Sequence, residues 1–350
     1  MRSSIRGSGS RDGPARGREP PKRFRTDDGF VQAVDGVSFA IEPGATLGIV
    51  GESGSGKSVT CLTVMGLNDT RNTTSEGSAR FDGIELIGAG RDQLNKLRGT
   101  RMAMIFQDPM TSLNPVKTIG WQLEEAVLAH QDVTRKEARA RSVAALGDVR
   151  IPRAEARLRD YPHQFSGGMR QRVMIAMALI NGPDLIIADE PTTALDVTTQ
   201  AQILALMNGL QEEHGMAIIM ITHDLGVVAE VADDVVVMYG GQIVEQAPVG
   251  EVFYRPRHPY TWGLLGSLPR LDAEVDRLVQ IPGQPPSLMR PPDGCRFHPR
   301  CAYTMDICRT QLPVLETSPG TDHLQRCWLD DETKRREGTK IIEMVHQAAS

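Results

Sequence analysis

Three groups of residues in this sequence have the types and spacing to do chemistry. The first is Gly51-Glu-Ser53-Gly54-Ser55-Gly56-Lys57-Ser58, which fits the phosphate-loop pattern GxxxxGK[ST]. Glycines there let the backbone wrap a row of phosphates, with successive N–H groups pointing inward. Lys57 can reach the β- and γ-phosphates, and the Ser58 hydroxyl can ligate Mg²⁺. Val59 completes the candidate nucleotide contacts at the start of a helix whose positive end faces the same place. The second group is Asp189-Glu190, two carboxylates that close the apolar run Leu185-Ile-Ile-Ala188. At the end of a buried strand, Asp189 can hold Mg²⁺ through water. Glu190, one residue on and pointing differently, is the natural general base for an attacking water. The third group is Cys295, Cys301, Cys308 and Cys327, in the pattern C-x5-C-x6-C-x18-C. Four thiolates in one short segment suit zinc or a [4Fe–4S] cluster. The sequence has neither the paired C-x2-C of a zinc ribbon nor ferredoxin spacing, so spacing alone does not choose the metal.

These residues need a scaffold, and the sequence supplies its pattern. Thr46–Val50 is a short apolar run that feeds the Gly/Ser loop, and an apolar-periodic helix follows from Lys57. Further buried-strand signals lie at 101–106, 184–188, 217–222 and 234–239, with helices between them. That alternation predicts an α/β fold with a largely parallel sheet. The alternating stretch 29–43 predicts edge strands, and 80–86 a strand pair about an Asp82-Gly83 turn. Between about Pro115 and Tyr161 the texture becomes polar and helix-forming, which marks a helical insertion, and the helical subdomain is expected over about 115–182. The expected organisation is a disordered basic tail over 1–22 and a catalytic domain over 23–249. An extension with the cysteines follows over 250–328, then a charged mobile tail over 329–350.

Composition excludes several classes. The net charge of −5 and the 5% aromatic content argue against a nucleic-acid partner. No stretch reaches the roughly 18 apolar residues of a membrane span. The first 25 residues hold eight Arg or Lys but no apolar core, so they do not read as a secretory signal. With no export signal the expected compartment is reducing, and disulfides are not expected.

Phe165-Ser166-Gly167-Gly168-Met169-Arg-Gln-Arg172, lying between Lys57 and Asp189, resembles the signature sequence of ABC ATPases. The other elements of that family follow in order. Gln107 matches the Q-loop, Ala194-Leu195-Asp196 the D-loop, and His223 the switch histidine. The resemblance implies a P-loop ATPase with a RecA-like core, an antiparallel β subdomain and a helical subdomain. It implies ATP as substrate, Mg²⁺ held by Ser58, Gln107 and Asp189, and catalysis by Glu190 and His223. It also implies a head-to-tail dimer in which Ser166, Gly167 and Gly168 bind the ATP of a second ATPase subunit, a similar but different chain. The family usually stacks adenine on an upstream aromatic residue, most often Tyr. Phe30 takes that place here, with Phe24 as the other candidate.

Finer details narrow the resemblance. Gln107-Asp-Pro-Met-Thr-Ser-Leu-Asn-Pro115, Arg257-His-Pro-Tyr-Thr-Trp-Gly-Leu-Leu265, Ile281-Pro-Gly-Gln-Pro-Pro286 and Gly294-Cys-Arg-Phe-His-Pro-Arg-Cys301 resemble the ATPase subunits of dipeptide and oligopeptide importers. Relatives also include nickel and glutathione importers. Non-transport ABC ATPases are the remaining alternative, and their usual coiled-coil insertion or second cassette is not seen here. The resemblance implies two transmembrane permease subunits, an extracytoplasmic substrate-binding protein reached through them, and a place on the cytoplasmic face of the cell membrane. It also implies a [4Fe–4S] cluster on the four cysteines, with zinc as the alternative. His298 is expected to face solvent. The cluster is expected to be structural, so that Cys301→Ser leaves nucleotide binding at Lys57 largely intact.

Overall fold

The computed structural model describes residues 5–7, 22–26, 29–69, 73–108, 112–193, 195–267 and 281–347. Ala194, most of the basic tail and the side chain of Phe30 lie outside the described residues. The chain divides into two compact units, one built mainly from 89–221 and the other from 4–41, 46–88 and 222–350.

The first unit is built on three parallel strands. Leu185–Asp189 runs between Met102–Ile105 and Ala217–Thr222, with Leu185 level with both Met102 and Ala217. All five residues of Leu185–Asp189 are buried, which is why this strand reads as a continuous apolar run. The helices Ile119–Leu128, Arg135–Asp148 and Gly167–Leu179 follow from the sequence between 115 and 182. Thr118 and Thr134 cap the first two, and Glu137 completes a capping box with Thr134. Ile119, Leu123 and Val127, four residues apart, are fully buried along one helix face. The long helix Val197–His214 starts on an Asp196 cap and stops at Gly215, whose φ of 64° suits glycine.

In the second unit, Thr46–Val50 pairs in parallel with Asp234–Tyr239. That strand turns back antiparallel into Gln242–Pro248. The sheet then continues into the C-terminal extension, through Leu324–Gln325 and Glu316–Thr317. Two antiparallel sheets complete the unit. One joins Ala40–Ile41, Ile5–Gly7, Ala79–Phe81 and Ile84–Glu85; the other joins Gly29–Val34, Lys22–Thr26 and Thr73–Thr74. Asp82 and Gly83 both have positive φ at the tip of a two-residue hairpin.

Two differences from expectation concern the termini. Within the basic tail, Ile5–Gly7 pairs with Ala40–Ile41 and Ala79–Phe81 as a strand. The C-terminal stretch expected to be mobile carries a helix, Asp331–Gln347. It packs on the helix Pro259–Gly266, with Lys334 and Ile342 buried. Gly338 permits that approach, because a Cβ there would lie 2.4 Å from the Pro256 carbonyl oxygen. One core cluster joins Val50, below the phosphate loop, to Val237, Tyr239, Tyr260, Phe297 and Ile342. The extension therefore shares its hydrophobic core with the phosphate-loop strand.

Candidate nucleotide site and cysteine cavity

The phosphate loop leaves the buried strand Thr46–Val50 and enters the helix Lys57–Val64. A Cβ on Gly51 would lie 2.2 Å from the Met238 carbonyl oxygen, and one on Gly56 would lie 2.5 Å from that of Ala33. Both glycines have positive φ, so sterics and backbone conformation each exclude other residues. Gly54 also has positive φ but open space around it. Lys57 is 5% exposed, and its ammonium donates to the Gly51 and Glu52 carbonyls at 2.7 and 3.0 Å. Ser55 Oγ is buried with no hydrogen-bond partner, a donor available to an arriving oxyanion. Ser58 and Val59 lie half-buried in the first helical turn. His223 follows the strand Ala217–Thr222 and is exposed, directly before Asp224, whose carboxylate caps the next helix at Gly226.

The first unit gathers another set. Asp189 ends its strand 8% exposed. Glu190 has φ +47°, a left-handed backbone that costs a non-glycine residue about 1–2 kcal/mol. Its N–H donates to the Ile221 carbonyl at 2.9 Å. Its carboxylate accepts from Gln107 Nε2 at 2.8 Å and from the Thr193 hydroxyl at 2.9 Å. Thr193 was not anticipated from sequence. The strained backbone and these two donors aim the carboxylate away from the line of the strand. Ser166 caps the helix Gly167–Leu179, accepting from the Met169 N–H at 3.4 Å. Ser166 and Gly167 are exposed at this helix end, and Gly168 is half-buried. Arg170 steadies the turn by donating Nε to the Pro162 and Phe165 carbonyls, both at 3.0 Å.

All four C-terminal cysteines line one narrow cavity, together with Phe297 and Trp328. His298 lines it too, half-buried, with Nδ1 2.9 Å from the Cys295 carbonyl oxygen; the expectation that it faces solvent is corrected. Among the described residues, no group of three or more His, Cys, Asp or Glu side chains forms a metal-binding arrangement. The donor chemistry nevertheless suits a soft metal. The His298 N–H donates to the Cys295 carbonyl at 3.0 Å. Neighbouring backbone N–H groups of Phe297, Tyr303 and Leu329 favour the charged form of Cys295, Cys301 and Cys327 respectively. Such N–H groups stabilise bound thiolates. Burial pushes the Cys295 thiol up to about 11 and that of Cys327 to about 12, so both are protonated at neutral pH unless a cation offsets the charge.

Comparison with known proteins agrees with this geometry. Residues 34–193 match the ABC transporter family, and residues 244–308 match the oligopeptide/dipeptide transporter C-terminal region. The oligopeptide transport ATP-binding protein OppD of Escherichia coli is 53% identical over 305 residues, covering 87% of this chain and 90% of that protein. The dipeptide transport ATP-binding protein DppD of Lactococcus lactis is 51% identical over 310 residues, 88% of each chain. Among solved structures, the ATP-binding cassette MJ0796, a dimer in a post-hydrolysis state bound to ADP and Pi, aligns with a TM-score of 0.60 at 27% identity. That alignment covers 70% of this chain and 98% of the cassette. The chain therefore belongs to the ABC transporter family, among the ATP-binding proteins of oligopeptide and dipeptide transport.

Proposed function

We propose that this chain binds and hydrolyses ATP to drive peptide uptake, and that Glu190 is the base that activates the attacking water. The observation that carries the catalytic assignment is the Glu190 carboxylate, which sits on a left-handed backbone beside Asp189 and is held by Gln107 and Thr193. Strain of this kind concentrates at functional sites. Gly51, Ser53, Gly54, Ser55, Gly56, Lys57, Ser58 and Val59 cradle the phosphates, and Phe30 stacks on the adenine. Ser58, Gln107 and Asp189 would hold Mg²⁺, which neutralises charge on the β- and γ-phosphates. His223 contacts the γ-phosphate and orients the water. Ser166, Gly167 and Gly168 serve the nucleotide of a second ATPase subunit, a reading that the exposure of Ser166 and Gly167 supports.

The chain works on the cytoplasmic face of the membrane, through two permease subunits that receive substrate from an extracytoplasmic binding protein. Among the described residues no helix is long and apolar enough to cross a membrane. Exposed Val116, Trp121 and Tyr161 in the helical segment give permeases an apolar surface to grip. Cys295, Cys301, Cys308 and Cys327 would hold a [4Fe–4S] cluster, which would tighten a segment with few large apolar residues of its own.

The functional test is reconstitution with the two permeases and the binding protein in vesicles. Glu190→Gln is expected to keep ATP binding while peptide uptake and steady-state hydrolysis both stop. Near-normal hydrolysis by that variant removes Glu190 from its role. Uptake that ignores peptides removes the substrate class. For the cysteine site, protein purified without air should be brown, with about four iron atoms per chain. A colourless, iron-free and fully folded protein rules the cluster out.

A further inference from the structure

Two arginines lie just inside the first pair of cysteines: Arg296 follows Cys295, and Arg300 precedes Cys301. They are 6% and 8% exposed. A buried guanidinium needs partners for five N–H donors. Arg300 places every one. Nε donates to the Pro282 carbonyl at 2.8 Å. Nη1 donates to Glu52 Oε2 at 2.6 Å and to the Tyr239 hydroxyl at 3.3 Å. Nη2 donates to Glu52 Oε1 at 3.1 Å and to the Ile281 carbonyl at 3.3 Å. The two bonds to one carboxylate form a fork, which fixes direction as well as distance.

Glu52 is the second residue of the phosphate loop, and its backbone is equally engaged. Its N–H donates to the Tyr260 hydroxyl at 2.8 Å. Its carbonyl accepts from Lys57 Nζ at 3.0 Å and from the Ser55 N–H at 3.2 Å. One residue thus joins Arg300 on one side to Lys57 on the other. Arg296 reaches the loop by a second route. Its guanidinium holds the Gly240 carbonyl and, at 2.7 Å, Asp35. The next residue, Gly241, donates its N–H to the Ser55 carbonyl at 2.9 Å. A Cβ on Gly240 would lie 3.2 Å from the Arg296 side chain, so the turn rests on the arginine stem.

We propose that Arg300 is a positioning residue for ATP binding: its fork on Glu52 sets the phosphate loop, with Tyr260 and Arg296 supporting it. The cysteine segment and the nucleotide site then form one mechanical piece, contrary to the independence expected from sequence. This rests on the nucleotide reading of the loop, and the experiment separates the two.

The full chain is titrated with the fluorescent analogue mant-ATP, and KM and kcat for ATP are measured in the assembled transporter. Arg300→Ala is expected to weaken mant-ATP binding about tenfold, the usual scale for a bond to a charged group. KM should rise by a similar factor while kcat falls less than about twofold. Arg300→Lys should recover only part of the loss, because an ammonium cannot reproduce the fork. Combining Arg300→Ala with Glu52→Ala should cost no more than the larger single change, since the pair acts as a unit. A purely structural arginine would instead lower Tm without separating KM from kcat, and that result overturns the proposal. So does a folded Arg300→Ala chain with unchanged Kd and KM. If that variant does not fold, Glu52→Gln and Tyr260→Phe carry the test, and unchanged binding in both overturns it. Lys57→Ala is the control. A wild-type chain that does not bind mant-ATP, or a Lys57→Ala chain that binds it equally well, overturns the nucleotide reading and this proposal with it.

Discussion

The phosphate loop and the Ser166 turn are both Gly/Ser turns that open a helix, yet they are built in opposite ways. The phosphate loop is enclosed. Met238, Ala33 and Gly241 crowd its glycines, Tyr260 and Arg300 hold Glu52, and Lys57 is buried. The Ser166 turn is open at Gly167, while a Cβ on Gly168 would lie 2.7 Å from Thr199 Cγ2. Ser166 and Gly167 are exposed, and the nearest atom to a Cβ on Gly167 would be Leu195 Cδ2 at 3.9 Å. Glycine is present for different reasons in the two places. At Gly51 and Gly56 it is the only residue that fits. At Gly167 it leaves the helix end clear for something arriving from outside. The first element is held within its own unit; the second presents an exposed helix end.

The widest contrast comes from Ser166→Arg. In the assembled transporter it should lower hydrolysis about 10²-fold or more, the scale of losing a transition-state donor. Mant-ATP affinity of the isolated chain should stay within about twofold. A parallel loss of binding in the isolated chain would falsify the assignment of Ser166 to a partner's nucleotide. Next is Gly56→Ala, which adds a clash to a disfavoured φ and should cost about 3 kcal/mol in denaturant unfolding. Gly54→Ala has the same disfavoured φ but free space, so about 1 kcal/mol is expected. Equal costs at 54 and 56 would show that packing does not set the loop. The smallest effect belongs to Gly167→Ala, within about 0.5 kcal/mol of wild type in the same assay. A cost like that of Gly56→Ala would erase the contrast.

What could be read from the sequence was local. The strand, loop and helix around Lys57 lie within about twenty residues, and hydrophobic periodicity marks each piece. The Asp82-Gly83 hairpin carries its turn chemistry in two adjacent residues. The helix Asp331–Gln347 signals itself only weakly in the sequence, because its buried stripe is thin: a lysine stem, one isoleucine and a glycine that meets Trp262 and Pro256. The strand Leu324–Gln325 is too short to signal itself, and only its place beside Gln242–Pro248 makes it part of the sheet. The pairing of Glu52 with Arg300 joins residues 248 positions apart. The motif pattern leaves Glu52 as an unspecified position, so no short-range rule reaches it. The one available signal was the pair of arginines set between Cys295 and Cys301.

The left-handed backbone of Glu190 bears on how such a chain would change over generations. Glycine adopts φ +47° at no steric cost, so Glu190→Gly would relieve strain while deleting the carboxylate. At this position the mutation that improves folding is also the one that silences the proposed chemistry. A gene copy released from selection for turnover would meet no folding penalty in taking it. Glutamate at 190 can persist only where each generation is tested for work done.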